Sequence, residues 1–218
     1  MQRRKLLKGL LAAGLAERLI FLRQAWAAGS KLAKPGFYQL QGTVTVNGQP
    51  AREGMTLKPG DRVVTGANSQ AIYVIGQDAY LQRDNSTVDI AGDILRSGLR
   101  MLNGKLLSVF GKGDKRIETG VATIGIRGTG CYLETDANRS YFCLCYGTAD
   151  VARIGDEQQV RRVQTTHHEQ PLYLYADAAK GIQAAAMVNH SDAELILLEQ
   201  LVGRIPPFVG KSGYSYNY

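Results

Sequence analysis

The residues best able to do chemistry are grouped. Cys131, Cys143 and Cys145 fall within 15 residues, and two of the three histidines, His167 and His168, are adjacent. Thiolate sulfur and imidazole nitrogen together suit zinc or copper, which makes Cys143, Cys145, His167 and His168 the candidate metal ligands. Two features weigh against that reading. The Cys-x-Cys spacing is shorter than the usual zinc spacer, and neighbouring side chains in a strand point to opposite faces, so only one histidine joins unless the backbone turns there. A second reading is a cross-strand disulfide of Cys131 with Cys145 or Cys143, because opposed strand residues lie roughly 4.5 to 5.5 Å apart at Cα, within disulfide range. A third makes the cysteines small core residues and the histidines hydrogen-bonded loop residues ahead of Pro171. His190 precedes a helix cap and is expected to bond nearby backbone, outside the metal set.

Which reading holds depends on strand register. Gly130–Thr135 and Tyr141–Tyr146 read as a hairpin around a five-residue loop, Asp136 to Ser140. That register puts Cys131 opposite Cys145, and with period-two alternation all three sulfurs share one face. A one-residue change in the loop instead sends Cys131 to the other face.

The elements around this group read as strands. From Gly42 to about Leu174, Gly, Asn and Asp punctuate short runs rich in Val, Ile, Thr and Tyr. Asn47-Gly48 supplies the positive φ angles of a tight hairpin turn after Thr43 to Val46, and Pro59-Gly60-Asp61 marks the next turn. Further strand-like runs fall at 70–75, 79–83, 87–90, 105–110, 121–126, 130–135, 141–146, 149–154 and 159–166. Ser191-Asp192-Ala193-Glu194 is a capping box opening a helix, with Leu195, Leu198, Leu201 and Val202 on one face, and Gly203 and Pro206-Pro207 end it. The fold class expected is all-β: one β-rich domain, a sandwich or β-roll, with a short C-terminal α-helix. The organisation expected is a signal peptide over 1–27, a linker over 28–41, a β domain over 42–175, an extension over 176–210 with its helix at about 192–202, and a flexible tail over 211–218.

The net charge of +7 and pI near 9.4 point at first to an acidic partner. Residues 1–27 hold six basic side chains and one acidic, so the remainder carries 20 Lys and Arg against 18 Asp and Glu. Nucleic acid is therefore not an expected partner. Arg3-Arg4, with Leu6, Leu7 and Lys8 behind them, has the order of a twin-arginine export signal, and Ala25-Trp26-Ala27 supplies a small-x-small cleavage pattern. Glu17, Arg18 and Arg23 interrupt the apolar run, which argues for a cleaved leader that meets the membrane transiently rather than an anchor. The expected location is the periplasm. No Gly-x-Ser-x-Gly elbow, phosphate-binding glycine loop or His-Glu-x-x-His pattern occurs, and enzymatic activity is not expected.

Gly42-x-Val44-x-Val46-Asn47-Gly48-x-Pro50-Ala51, Gly54, Leu57, Gly60-Asp61-x-Val63-x-Thr65-Gly66 and the run Thr119 to Thr129, ending Gly125-Ile126-Arg127-Gly128-Thr129, resemble a FecR domain over roughly residues 42–154. Gly120 departs from the proline frequent in that family. The resemblance implies a periplasmic β domain. In signalling members it relays the state of an outer-membrane receptor to a cytoplasmic sigma factor through transmembrane and cytoplasmic segments, which the sequence is read as lacking; only domain and compartment carry over. Arg127 is expected to anchor a carboxylate inside the fold. The function expected is a sensory or scaffold module binding an envelope protein or small ligand. The alternatives are a zinc- or copper-binding protein and a structural envelope protein with a cross-strand disulfide.

Overall fold

The computed structural model describes residues 32–92, 97–156, 158 and 160–210. The expected leader and tail lie outside the described residues. Those described form one 14-stranded sheet and one helix, an all-β fold with a short C-terminal helix.

The first strands are β1 (Gly36–Gln41), β2 (Val44–Val46), β3 (Gln49–Pro50), β4 (Arg62–Thr65), β5 (Gln70–Ile75), β6 (Asp78–Gln82) and β7 (Ser86–Gly92). Asn47 and Gly48, at φ +51° and +79°, make the two-residue turn between β2 and β3, as their types require. Residues 36–41, expected as linker, instead pair antiparallel with β5. Three long strands follow the short ones: β8 (Ser97–Val109), β10 (Ala122–Thr135) and β11 (Arg139–Arg153), with β9 (Asp114–Glu118) between the first two. The runs expected separately at 121–126 and 130–135 are therefore one strand, bent at Gly128, whose φ of +60° sits where the β10–β11 register shifts. β12 (Arg161–Thr165), β13 (Leu172–Tyr175) and β14 (Ile182–Ala184) complete the sheet beside β11.

One face of the sheet encloses a core to which nearly every strand contributes, including Val63, Val88, Met101, Ile117, Ile124, Leu133, Phe142, Leu144, Val151 and Val163. The opposite face of β6 and β8 is covered by the helix α1 (Asp192–Leu201). Leu195, Leu197, Leu198 and Leu201 are buried there, while Val202 is the half-exposed C-cap. The capping box forms as its sequence predicts, with the Glu194 carboxylate accepting from the Ser191 amide at 2.9 Å and its hydroxyl at 3.1 Å. Among the described residues no helix is long and apolar enough to cross a membrane.

Two glutamates of α1 face the sheet and each has an arginine. Glu199 accepts from Tyr146 and Arg204. Glu194 pairs with Arg83, which follows β6, at 2.8 Å, with both side chains almost fully buried. The same guanidinium nitrogen donates to the Asn189 carbonyl at 2.9 Å. Deleting one member of a buried pair leaves the other charge desolvated, at about 3 to 5 kcal/mol. An Arg83→Leu variant is expected to lose stability on that scale in urea unfolding, with exchange protection lost first in residues 189–201.

Candidate metal centre

The β10–β11 hairpin closes one residue tighter than its sequence suggests. The Asp136 carboxylate accepts from the amides of Asn138 (2.7 Å) and Arg139 (3.0 Å), and the Asp136 amide donates to the Arg139 carbonyl. This aspartate-built turn lets Thr135 pair with Ser140. Cys131 then stands opposite Leu144, and Tyr132 opposite Cys143. The expected convergence of three sulfurs and the pairing of Cys131 with Cys145 are thereby corrected. Cys131 faces the core with Leu133 and Leu144, Cys143 faces the helix side, and all three cysteines are free and buried.

Cys145 is where β11 bulges. Cys131 pairs with Leu144 and Gly130 with Tyr146, which leaves Cys145 as the extra residue. The bulge turns two consecutive side chains toward α1: Tyr146 reaches Glu199, and Cys145 stays beside Cys143. Gly130 makes this possible, since a Cβ there would meet the Tyr146 ring at 2.6 Å.

The histidines lie in the turn after β12. Glu169 ties it, accepting from the amides of Thr166 and His167 at 2.9 Å each and from the Thr166 hydroxyl. Burial opposes the Glu169 charge, but these donors win and hold its carboxyl down at about 2. His168 adopts φ +58° and donates its amide to the Cys145 carbonyl at 3.0 Å. This is the backbone turn that adjacent histidines need to work together. Both reach Asp192, the first residue of α1: His167 Nε2 lies 2.8 and 2.9 Å from the two carboxylate oxygens, and His168 Nε2 lies 3.1 Å from one. Only His168 also reaches the cysteines, with Nδ1 3.4 Å from Cys143 Sγ.

His190 completes the group that His167 leaves. Its Nε2 lies 3.1 Å from His168 Nδ1, its Nδ1 lies 2.7 Å from the Val188 carbonyl, and its ring stacks on Tyr132 at 4.6 Å. The expected backbone bond of His190 therefore exists, but it is made by one nitrogen and frees the other. The ligand atoms of Cys143, Cys145, His168 and His190 all lie within 4.8 Å of one another, and all four residues are buried. The sequence-based set of four thus becomes Cys143, Cys145, His168 and His190.

The hydrogen bonds fix the imidazole tautomers. A carbonyl only accepts, so His190 Nδ1 carries hydrogen; an ionised carboxylate only accepts, so His168 Nε2 does. In the neutral rings the remaining nitrogens, His168 Nδ1 and His190 Nε2, are both lone pairs facing each other at 3.1 Å beside a sulfur. Such an arrangement needs a cation between its members, either a proton or a metal ion. A carboxylate or carbonyl behind each ligating imidazole is also the usual outer support of a metal-bound histidine. For bonds of about 2.0 to 2.3 Å, the edges of a tetrahedral site are roughly 3.3 to 3.8 Å; the Cys143–His168 separation of 3.4 Å falls in that range and the His168–His190 separation of 3.1 Å just below it.

The electrostatics point the same way. A hydrogen bond from Cys145 is the largest influence on Cys143, and with His168 and His190 it draws the thiol far below its ordinary range against burial. Burial pushes Cys145 and Cys131 up. For His168 burial works against the charged form, but Cys143 and Asp192 together raise it. Cys143, His168 and Asp192 also stand in the order of a nucleophile, base and orienting carboxylate. Cys143 is 0% exposed, however, and His190 closes on the same His168 nitrogen. Arg127 does reach carboxylates, Asp114 at 3.4 Å and Asp150 at 3.8 Å, but on the surface rather than inside the fold.

No family model and no curated protein matches the chain. Two crystal structures of a candidate anti-sigma factor from Parabacteroides distasonis ATCC 8503, at 1.65 and 2.50 Å resolution, resemble it with 8% identity and a TM-score of 0.48. Each match covers 57% of this chain and 58% of that one. A likeness at that level carries no argument about function.

Two outcomes are expected of the site's surroundings. In the presence of a chelator, a thiol reagent should leave the three cysteines of the native protein unmodified over minutes and count three after denaturation. Glu169 should titrate at about 2 by NMR. Because that carboxyl is depressed, its contribution to stability is complete above the ordinary carboxylate range and is lost as pH falls toward 2.

Proposed function

We propose that this chain is a sensory or binding module of the cell envelope whose input is a transition-metal ion, held by Cys143, Cys145, His168 and His190. One observation carries the reading: two imidazole nitrogens, each on a ring whose other nitrogen is engaged by an oxygen acceptor, face each other and a cysteine sulfur in a buried space. Two sulfurs and two nitrogens within 4.8 Å of one another suit zinc, with cuprous copper the next candidate for the same soft set. The envelope location rests on the twin-arginine leader and the FecR-like motifs. Both support a location outside the cytoplasm, and a leader of this type would suit a protein that folds, and gains its metal, before export.

Elemental analysis of protein purified from the periplasmic fraction should give one zinc per chain. Cobalt added to the stripped protein should bring a thiolate-to-metal absorption band and the visible bands of a tetrahedral ion. Zinc at 100 times its dissociation constant should raise unfolding free energy by about 2.7 kcal/mol. A Cys143→Ser, Cys145→Ser double variant should lose the bands and the stabilisation. A folded wild-type protein that binds neither zinc, cobalt nor copper would overturn the proposal. Rapid alkylation of Cys143 in the native state would favour the nucleophile instead.

A further inference from the structure

The proposed site uses only one nitrogen of His168, and the other lies in a second group. His167, His168 and Asp192 each offer a ligand atom within 4.8 Å of the others. His167 Nε2 and His168 Nε2 approach the Asp192 carboxylate at 2.8 to 3.1 Å, and His167 touches both of its oxygens. We infer that His168 bridges two metal ions, with Nδ1 on the four-ligand centre and Nε2 on a second ion completed by His167 and Asp192. This inference rests on the four-ligand reading, because it shares one ligand with it.

The second group differs from the first in access. The Cys143 and Cys145 side chains are fully buried, whereas those of His167 and Asp192 are each 19% exposed. Three protein ligands with one side open to solvent is the arrangement in which a metal keeps an exchangeable water or takes a small anion. The ligands are also held in place. The His167 ring lies between His168 and Phe208, with centroids 4.6 Å away on each side. Asp192 opens α1 next to the capping box, and Glu169 pins the His167 amide.

Proton balance is simple. In the neutral rings His167 Nε2 and His168 Nε2 both donate hydrogen bonds to Asp192; on binding of the second divalent ion His167 takes its other neutral tautomer, with the hydrogen on Nδ1, while the His168 Nε2 proton leaves to solvent, so one proton is released and an imidazolate remains with one metal on each nitrogen. Asp192 turns from hydrogen-bond acceptor to ligand. Nothing is oxidised or reduced. A hard-to-soft gradient separates the sites: sulfur-rich and closed on one side, nitrogen and oxygen ligands and open on the other, which orders filling from the inner site outward.

The test is metal titration of the stripped full-length protein, first with zinc to one equivalent and then with Cu(II), followed by equilibrium dialysis and EPR. The expected result is one further equivalent of Cu(II), bound at least tenfold more weakly than the first ion, with a nitrogen-coordinated signal. His167→Gln should lose that equivalent and its signal while keeping the cobalt–thiolate bands of the inner site, which also reports that the variant is folded. Cys143→Ser with Cys145→Ser should lose the inner ion. A wild-type protein that stops at one equivalent, or a second equivalent indifferent to His167→Gln, overturns the bridge and leaves the inner centre standing. Failure to bind even the first equivalent overturns both.

Discussion

One guanidinium holds the two halves of the site together. Arg83 leaves the sheet after β6 and grips both the Asn189 carbonyl and the Glu194 carboxylate. Between those two contacts lie His190 and Asp192, one a ligand and the other the support of a ligand. The sheet supplies the cysteines and the β12 turn supplies His168, but without the buried Arg83–Glu194 pair the remaining partners have no fixed address. The pair is itself expensive to bury. The Glu194 carboxylate is nevertheless also held by the capping box, and the same guanidinium nitrogen reaches a backbone carbonyl.

The polar layer between sheet and helix forms a second core of a different kind. The inner face of the sheet is filled by aliphatic and aromatic side chains, with Cys131 among them as one more small apolar residue. The helix-side face mixes leucines with Glu194, Glu199, Tyr146, Tyr132 and the four sulfur and imidazole groups. Each glutamate there has an arginine, and each imidazole has an oxygen behind it. The contact between His168 Nδ1, His190 Nε2 and the Cys143 sulfur has one proton, that of the Cys143 thiol, for two acceptor nitrogens. Buried polar groups short of a partner are rare, and this is the place where a metal ion would engage both nitrogens that a single proton has to share.

Local chemistry was legible in the sequence; relations between distant segments were less so. The Asn47-Gly48 turn, the strand runs and the Ser191–Glu194 box appear where residue types put them, because each depends on a few consecutive residues. The hairpin register was missed because Asp136 closes its turn with its own side chain, and one residue of slip is enough to move Cys131 to the opposite face. His190 was missed because its partner nitrogen belongs to a residue 22 positions earlier. Its place beside a strong helix cap was the available signal: a cap that docks on a sheet carries the preceding residue down with it. His167 stands apart from the cysteines for the reverse reason, grouped instead with His168 and Asp192. The pair His167-His168 does work together, through Asp192, which no periodicity singles out. Strand β1 escaped notice because Gly36 to Gln41 reads as polar and mixed, and it owes its place to pairing with β5.

The ligands come from three places in the chain: a bulge in β11, a turn after β12 and the approach to α1. None of them lies in a short loop that could close around an ion before the rest of the domain exists. The hairpin has to find its register, the turn has to enter its left-handed conformation at His168, and the helix has to settle on β6 and β8 before the four atoms meet. An ion would therefore be the last component to arrive, entering a finished scaffold rather than nucleating one, and its absence would leave the fold intact with a proton shared at its seam.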